Sequence, residues 1–246
     1  TEVSDAGSVP NLKFTNQNDQ PVFLLDGEEL VGAKQNRVLN LSVLAPANSD
    51  LIIPVSCVEQ GRWSHQSEHF ESANRSQYSR GRAMKAAQVS SSMKRQSGPR
   101  SDQGRIWDDI SNKSAAFGVR SDSGAMSDIY ESLDQKIEDF IQNLSPQEDQ
   151  VGLMVGINDR IAGIDIFDKP QTLKKLFPKL VRSYALDALE QSQITTEPIS
   201  DSLSADFLHT VFKTPTKSFP AVGLGEDLRF EGQMVAGGVL EVDGDI

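Results

Sequence analysis

Residues 151–167 read VGLMVGINDRIAGIDIF: two apolar runs, Val151 to Ile157 and Ile161 to Phe167, joined by Asn158-Asp159-Arg160. Short apolar runs separated by Asn and Asp predict an antiparallel hairpin, because these residues tolerate the left-handed backbone of a tight turn. On the N-terminal side, Ile129, Leu133, Ile137, Phe140, Ile141 and Leu144 recur at spacings of three and four. With Asp128 and Glu131 in the first turn and Pro146 beyond the end, this spacing predicts one amphipathic helix from Ser127. On the C-terminal side, Leu173, Leu176, Phe177, Leu180, Val181, Tyr184, Ala185, Ala188 and Leu189 repeat the pattern; Pro178 inside it either kinks the helix or starts a new one. Ser204 reads as the cap of a shorter helix carrying Phe207, Leu208, Val211 and Phe212.

Farther out, Pro21 to Leu25, Val38 to Leu44 and Leu51 to Val58 read as strands, the last an edge or bulged strand because Pro54 cannot donate to a ladder. The tail adds Ala221 to Leu224, Leu228 to Val235 and Val239 to Val242, with Gly237-Gly238 as a tight turn. Strands, then helices, then hairpins differ from strict βαβ alternation. The expected fold is therefore α+β, a mixed and largely antiparallel sheet with packed helices, in a single domain over residues 1–246.

The 246 residues carry a net charge of −11, 37% hydrophobic residues and one cysteine, Cys57. A chain of this length buries roughly three quarters of its extended surface, which excludes disorder throughout. Its apolar runs, such as Leu51-Ile52-Ile53, are far shorter than the ~20 residues that span a bilayer, so no membrane segment is expected. The acidic balance argues against general nucleic-acid binding, and the lone cysteine with no targeting segment points to the cytoplasm. The charge is uneven. Residues 64–105 hold eight basic and three acidic side chains, a local +5, which leaves −16 on the remainder. Ten serines and few large apolar residues in that stretch predict a mobile basic arm with transient helix around Arg82 to Arg95, either a solvated excursion or a lid over an anionic ligand.

Polar residues concentrate in two places. Asp26 to Arg37 holds three carboxylates, two cations and two amides. Gly27 and Gly32 have the separation of a phosphate loop, but Lys34 comes one position late and Gln35 stands where Ser or Thr would ligate magnesium, which excludes a Walker site. What remains is either a charged hairpin loop or a ligand loop, with Lys34 and Arg37 for anionic oxygens and Gln35 and Asn36 for hydrogen-bonding edges. At the exit of the Pro54 strand, Glu59, Arg62 and Trp63 form either an ion pair beside a core anchor or a set of acid-base carboxylate, anion clamp and stacking surface. Glu28 is a second candidate for acid-base or metal chemistry, and magnesium among Asp26, Glu28, Glu29 and Glu59 fits the composition. Cys57 reads as a buried hydrophobe or as a nucleophile with His65 or His69 as base. Ser121-Asp122-Ser123-Gly124, ahead of the helix, offers a cap or an anion site.

Leu24 to Arg37, Ile53 to Trp63 and, more loosely, Gln103, Trp107 and Gly124-Ala125-Met126 resemble the family named for its association with ADP-ribosylglycohydrolase and rhodanese-phosphatase domains. The resemblance covers nearly the whole chain and implies a part in NAD or ADP-ribose metabolism, without known catalytic residues to transfer. It also implies residues beyond both ends, so that the chain is expected to be a trimmed piece. The combined expectation is binding of an ADP-ribose-like or other nucleotide ligand, with its hydrolysis an open extension. Here Lys34, Arg37 and Arg62 hold phosphates, Gln35 and Asn36 read base or ribose, Trp63 stacks, and Glu59 or Glu28 supplies the chemistry. The rival is a non-enzymatic interaction module whose basic arm docks an acidic partner.

Overall fold

The computed structural model describes residues 1–4, 7–191 and 197–244. Its first half holds strands β1 (Asn11–Asn16), β2 (Val22–Leu24), β3 (Glu28–Gly32), β4 (Arg37–Leu39), β5 (Val43–Ala45), β6 (Ser49–Cys57) and β7 (Phe70–Ser76). Helices α1 (Ser79–Lys94), α2 (Gln103–Ala116), α3 (Met126–Ser132) and α4 (Asp134–Asn143) follow. Then come β8 (Gly152–Ile157), β9 (Arg160–Ile166), α5 (Pro170–Leu189), α6 (Asp201–Lys213), β10 (Thr216–Pro220), β11 (Glu226–Glu231) and β12 (Ala236–Glu241). Five strands form one sheet in the order β1-β6-β4-β3-β7, and β10-β11-β12, β2-β5 and β8-β9 form smaller ones. The fold is α+β. Every strand pair among the described residues is antiparallel, so the sheets are not mixed.

The expected hairpin forms as β8 and β9, with Asn158 at a φ of 57° in its turn. Strand β6 lies inside the large sheet rather than at its edge. Pro54 is tolerated because pairing with β1 ends at Asn11↔Pro54 and pairing with β4 starts one residue later at Leu39↔Val55. The Pro54 carbonyl accepts from Asn40 N–H at 3.0 Å, so the missing N–H falls beyond the end of β4. Val38 to Leu44 divides into β4 and β5, in different sheets. Between them, Asn40 donates to Pro99 O at 3.1 Å and Ser42 Oγ accepts from Asp26 N–H at 3.1 Å. In the tail the turn is Gly232–Val235, closed by a 2.8 Å bond, while Gly237 and Gly238 sit inside β12 opposite Phe230 and Arg229.

The expected helix from Ser127 to Leu144 is broken at Leu133 into α3 and α4. Leu133 N–H bonds Tyr130 O, and Ile137 N–H bonds Leu133 O, so the break preserves the apolar phase. Helix α5 is continuous through Pro178, with Pro170 in its first turn. An interior proline costs about 3 kcal/mol. Burial of Leu173, Phe177, Leu180, Val181 and Leu186 outweighs it at about 1.5–3 kcal/mol each. Helix α6 is capped by Ser200 rather than Ser204.

Residues 64–105 depart most from expectation. Instead of an arm with transient helix, they supply sheet strand β7 and the sixteen-residue α1, with Tyr78, Lys85, Val89 and Ser90 fully buried. Cations lie inward because distant carboxylates meet them: Arg75 pairs with Glu29, Arg82 with Asp165 and Lys85 with Asp26. Small serines and alanines allow close packing without an apolar stripe. No helix among the described residues is long and apolar enough to cross a membrane.

Candidate functional site

Sheet order brings the two polar motifs together. Strand β4 pairs with β6 in the register Arg37↔Cys57, which lays the loop 33–36 against the exit of β6. Arg62 Nη1 donates to the carbonyls of Ala33 at 2.9 Å and Ser64 at 3.2 Å, and Nη2 donates to Asn36 Oδ1 at 3.0 Å. The same Nη2 lies 2.6 Å from Glu59 Oε2. Glu59 also accepts from Asn36 N–H at 3.1 Å and from Ser123 Oγ at 2.9 Å. Gln35 donates to Glu59 O at 2.9 Å and accepts from Arg37 Nη1 at 3.0 Å. Burial pushes the Glu59 pKa up, but the bonds from Arg62, Asn36 N–H and Ser123 outweigh it and hold it below its ordinary value.

Gln35, Asn36, Arg37, Glu59 and Arg62 are all buried. Arg37 is fully enclosed, and its Nε and Nη2 have no hydrogen-bond partner among the described residues. Burial lowers its pKa. Trp63 is half exposed, with Lys34 Nζ 5.5 Å and Arg37 Cζ 5.8 Å from its ring centroid. Seven of the eight sequence candidates thus converge. Their polar groups are directed mainly at one another, which makes the cluster a clamp between the β3–β4 loop, the β6 exit and the segment before α3.

Glu28 lies apart. Its carboxylate binds Lys179 Nζ at 2.6 Å and Ser72 Oγ, below helix α5. The four carboxylates weighed for magnesium go to four different cations: Asp26 to Lys85, Glu28 to Lys179, Glu29 to Arg75 and Glu59 to Arg62. Among the described residues no group of three or more His, Cys, Asp or Glu is placed to hold a metal ion. Cys57 is buried, and burial pushes its thiol pKa up, whereas His65 and His69 lie on an exposed loop; the pair does not make a nucleophile and base. Gln103 bonds Cys57 N–H at 2.8 Å and Cys57 O at 2.7 Å, docking α2 onto β6. Ser123 and Met126 tie this segment to the clamp: Gly61 N–H bonds Ser123 O at 2.6 Å, and Met126 N–H bonds Val58 O at 2.9 Å.

An open cleft lies on the other side of Asp26. It has a volume of about 210 Å³ between α1, β9, α5, α6 and the β11–β12 hairpin. Asp26, Ser79, Arg82, Asp165 and Tyr184 supply its polar side chains, and Phe207, Val211, Phe230 and Val235 part of its apolar wall. Arg82 grips Asp165 with both terminal nitrogens, at 2.7 and 3.1 Å, and Tyr184 OH donates to Asp165 Oδ2 at 2.7 Å. Burial and the Asp165 carboxylate raise the Tyr184 pKa, so the phenol stays protonated. Lys85, fully buried, donates to Asp26 Oδ1 and Leu39 O, and burial lowers its pKa. Asp26 keeps about a quarter of its side chain exposed, and its Oδ2 accepts no hydrogen bond from a described residue. From the sequence, Asp26 reads as part of the polar loop and a candidate metal ligand and Arg82 as part of the basic arm, while Asp165 and Tyr184 carry no polar role. The available signal was Asp165, a lone carboxylate inside the apolar run Ile161 to Phe167.

Neither the comparison with curated proteins nor the comparison with solved structures gave a match. The model of the ARG and Rhodanese-Phosphatase-superfamily-associated Protein domain matches residues 1–246, and the chain belongs to that family.

Proposed function

We propose that the chain binds a nucleotide-like small molecule of the ADP-ribose type, with the nucleoside portion seated in the Asp26–Tyr184 cleft. One observation carries the reading: the cleft joins an accessible carboxylate, Asp26, to aromatic walls from Phe207, Phe230 and Tyr184. At about 210 Å³ it is smaller than the roughly 300–1,000 Å³ typical of sites for drug-sized ligands, so it takes part of such a molecule. Its cations are committed, Arg82 to Asp165 and Lys85 to Asp26, so the phosphates of the ligand remain in solvent. Arg62, Gln35 and Asn36 then hold the fold rather than the ligand. Binding fits the cleft better than turnover does, because Asp165 already accepts from three donors and Asp26 is left as the single carboxylate available to a substrate. The docking of an acidic partner by a basic arm is less favoured, since Arg75, Arg82 and Lys85 are turned toward internal carboxylates.

Calorimetric titration of ADP-ribose, NAD and adenosine into the whole chain tests the proposal. The expected result is binding that is lost in Val211→Trp, which fills the cleft from α6, and kept in Trp63→Ala. No heat with any of the three, or binding that survives Val211→Trp and disappears with Trp63→Ala, would overturn it.

A further inference from the structure

Behind Asp26 lies a second, smaller chamber. It has a volume of about 20 Å³ and is lined by Asp26, Ser42, Asp227, Arg229, Gly238 and the strand that follows. Asp26 and Gly238 line both it and the cleft. One water-sized group needs about 10–15 Å³, so the chamber admits a single oxygen and little more.

Its polar groups are complementary in an informative way. Arg229, 2% exposed, donates to Asp227 Oδ2 from Nη2 at 2.9 Å, and its Nε lies 2.7 Å from Asp227 Oδ1 as an ion-pair contact without hydrogen-bond geometry. Its Nη1 is buried and has no hydrogen-bond partner among the described residues. That nitrogen faces Gly238: a Cβ there would stand 2.5 Å from Nη1. Asp227 and Arg229 are two apart on β11, so they share a face of the strand. The chamber is therefore lined both by an unused donor, Arg229 Nη1, and by the Asp26 carboxylate, an acceptor. A phosphate oxygen cannot donate to Asp26, and an ammonium cannot accept from Arg229. A hydroxyl does both.

The geometry points to this chamber as a hydroxyl-reading subsite at the base of the cleft, which takes one ribose hydroxyl of the ligand between Arg229 Nη1 and Asp26. The inference rests on the cleft reading above and adds the part of the ligand that is recognised. A ligand without the hydroxyl forgoes a hydrogen bond to a buried guanidinium, which costs about 1–3 kcal/mol, or roughly five- to 150-fold in affinity.

The test compares adenosine, 2′-deoxyadenosine and 3′-deoxyadenosine by calorimetry on the whole chain and on Gly238→Ala. An alanine Cβ would stand 2.5 Å from Arg229 Nη1 and 2.6 Å from Cζ, so it displaces the guanidinium and with it the donor. On the unmodified chain, at least one deoxynucleoside is expected to bind about fivefold or more weakly than adenosine. In Gly238→Ala, whose folding is checked by its thermal melt, adenosine and the weaker analogue are expected to bind alike. If both deoxynucleosides match adenosine on the unmodified chain, or if discrimination persists in a folded Gly238→Ala, the hydroxyl subsite is overturned and the cleft reading stands. If none of the three binds, both readings fall.

Discussion

Around Glu59, a carboxylate is surrounded by an arginine, a main-chain N–H and a serine hydroxyl, all within the protein. Around Asp26, a carboxylate is held on one oxygen by Lys85 while the other accepts from no described residue. Each is a carboxylate beside a cation, yet one cluster is closed and the other open. The difference lies in backbone support. The clamp residues sit where two strands and a loop already touch, so most polar groups find a near neighbour, with Arg37 Nε and Nη2 and Arg62 Nε the exceptions among the described residues. The cleft residues come from α1, β9, α5, α6 and the β11–β12 hairpin, elements brought together from distant parts of the chain. A dense polar motif along the chain therefore marks where the backbone needs stitching, and sparser groups gathered from distant segments leave room for a ligand.

The strongest way to break this contrast is Arg62→Ala. It leaves Glu59 buried and deprives Ala33, Ser64 and Asn36 of a donor, so stability is expected to fall by about 3–5 kcal/mol in denaturant unfolding. A loss below about 1 kcal/mol would mean that the cluster is not a clamp.

The same difference explains how much the sequence disclosed. Hairpin β8–β9, helix α5 and the α+β class follow from periodicity because their apolar residues face one layer. Clamp residues were legible because they are adjacent along the chain, although the spacing could not tell a ligand site from mutual hydrogen bonding. Helix α1 was not legible: Lys85 and Arg82 read as solvated charges until Asp26 and Asp165 are brought to them from 59 and 83 residues away. Strand β1 and helix α2 gave no decisive pattern. Gln103 docks α2 through a side chain that copies a strand's hydrogen bonds, which no period encodes. The break at Leu133 escaped because it keeps the apolar phase. The chamber escaped because Asp227 and Arg229 look like an exposed ion pair on a strand.

Acid unfolding separates the regions next. The Glu59 pKa is lowered in the folded chain from an ordinary value near 4.5. Such a group stabilises the fold above its unfolded pKa, and that stability is lost as pH falls through the folded value. Glu29 has the opposite sign. Burial raises its pKa against the pull of Arg75, so its contribution is complete at low pH and is lost as pH rises from about 4.5 through the folded value. Denaturant unfolding between pH 3 and 6 is expected to show a shallower acid-side loss in Glu59→Gln than in the parent chain, and a steeper one in Glu29→Gln. A Glu59→Gln curve parallel to that of the parent would remove the electrostatic account of the clamp.

A smaller effect is expected at the surface of the clamp. Trp63→Ala removes the contacts with Lys34 and Arg37 and is expected to cost about 1 kcal/mol, with ligand titrations unchanged. Loss of nucleoside binding in a folded Trp63→Ala chain would move the site back to the motif.

The smallest stability change belongs to the cleft. Val211 lies on α6, a helix with no buried residue, so Val211→Trp meets little packed structure. Its unfolding free energy is expected within about 0.5 kcal/mol of the parent. The same indole projects into a space of about 210 Å³ and should abolish the nucleoside heat. A variant at this position therefore separates function from stability, as Arg62→Ala cannot. If Val211→Trp instead unfolds the chain as readily as Arg62→Ala, the cleft wall is part of the core, and the distinction between a closed region and an open one fails at its open end.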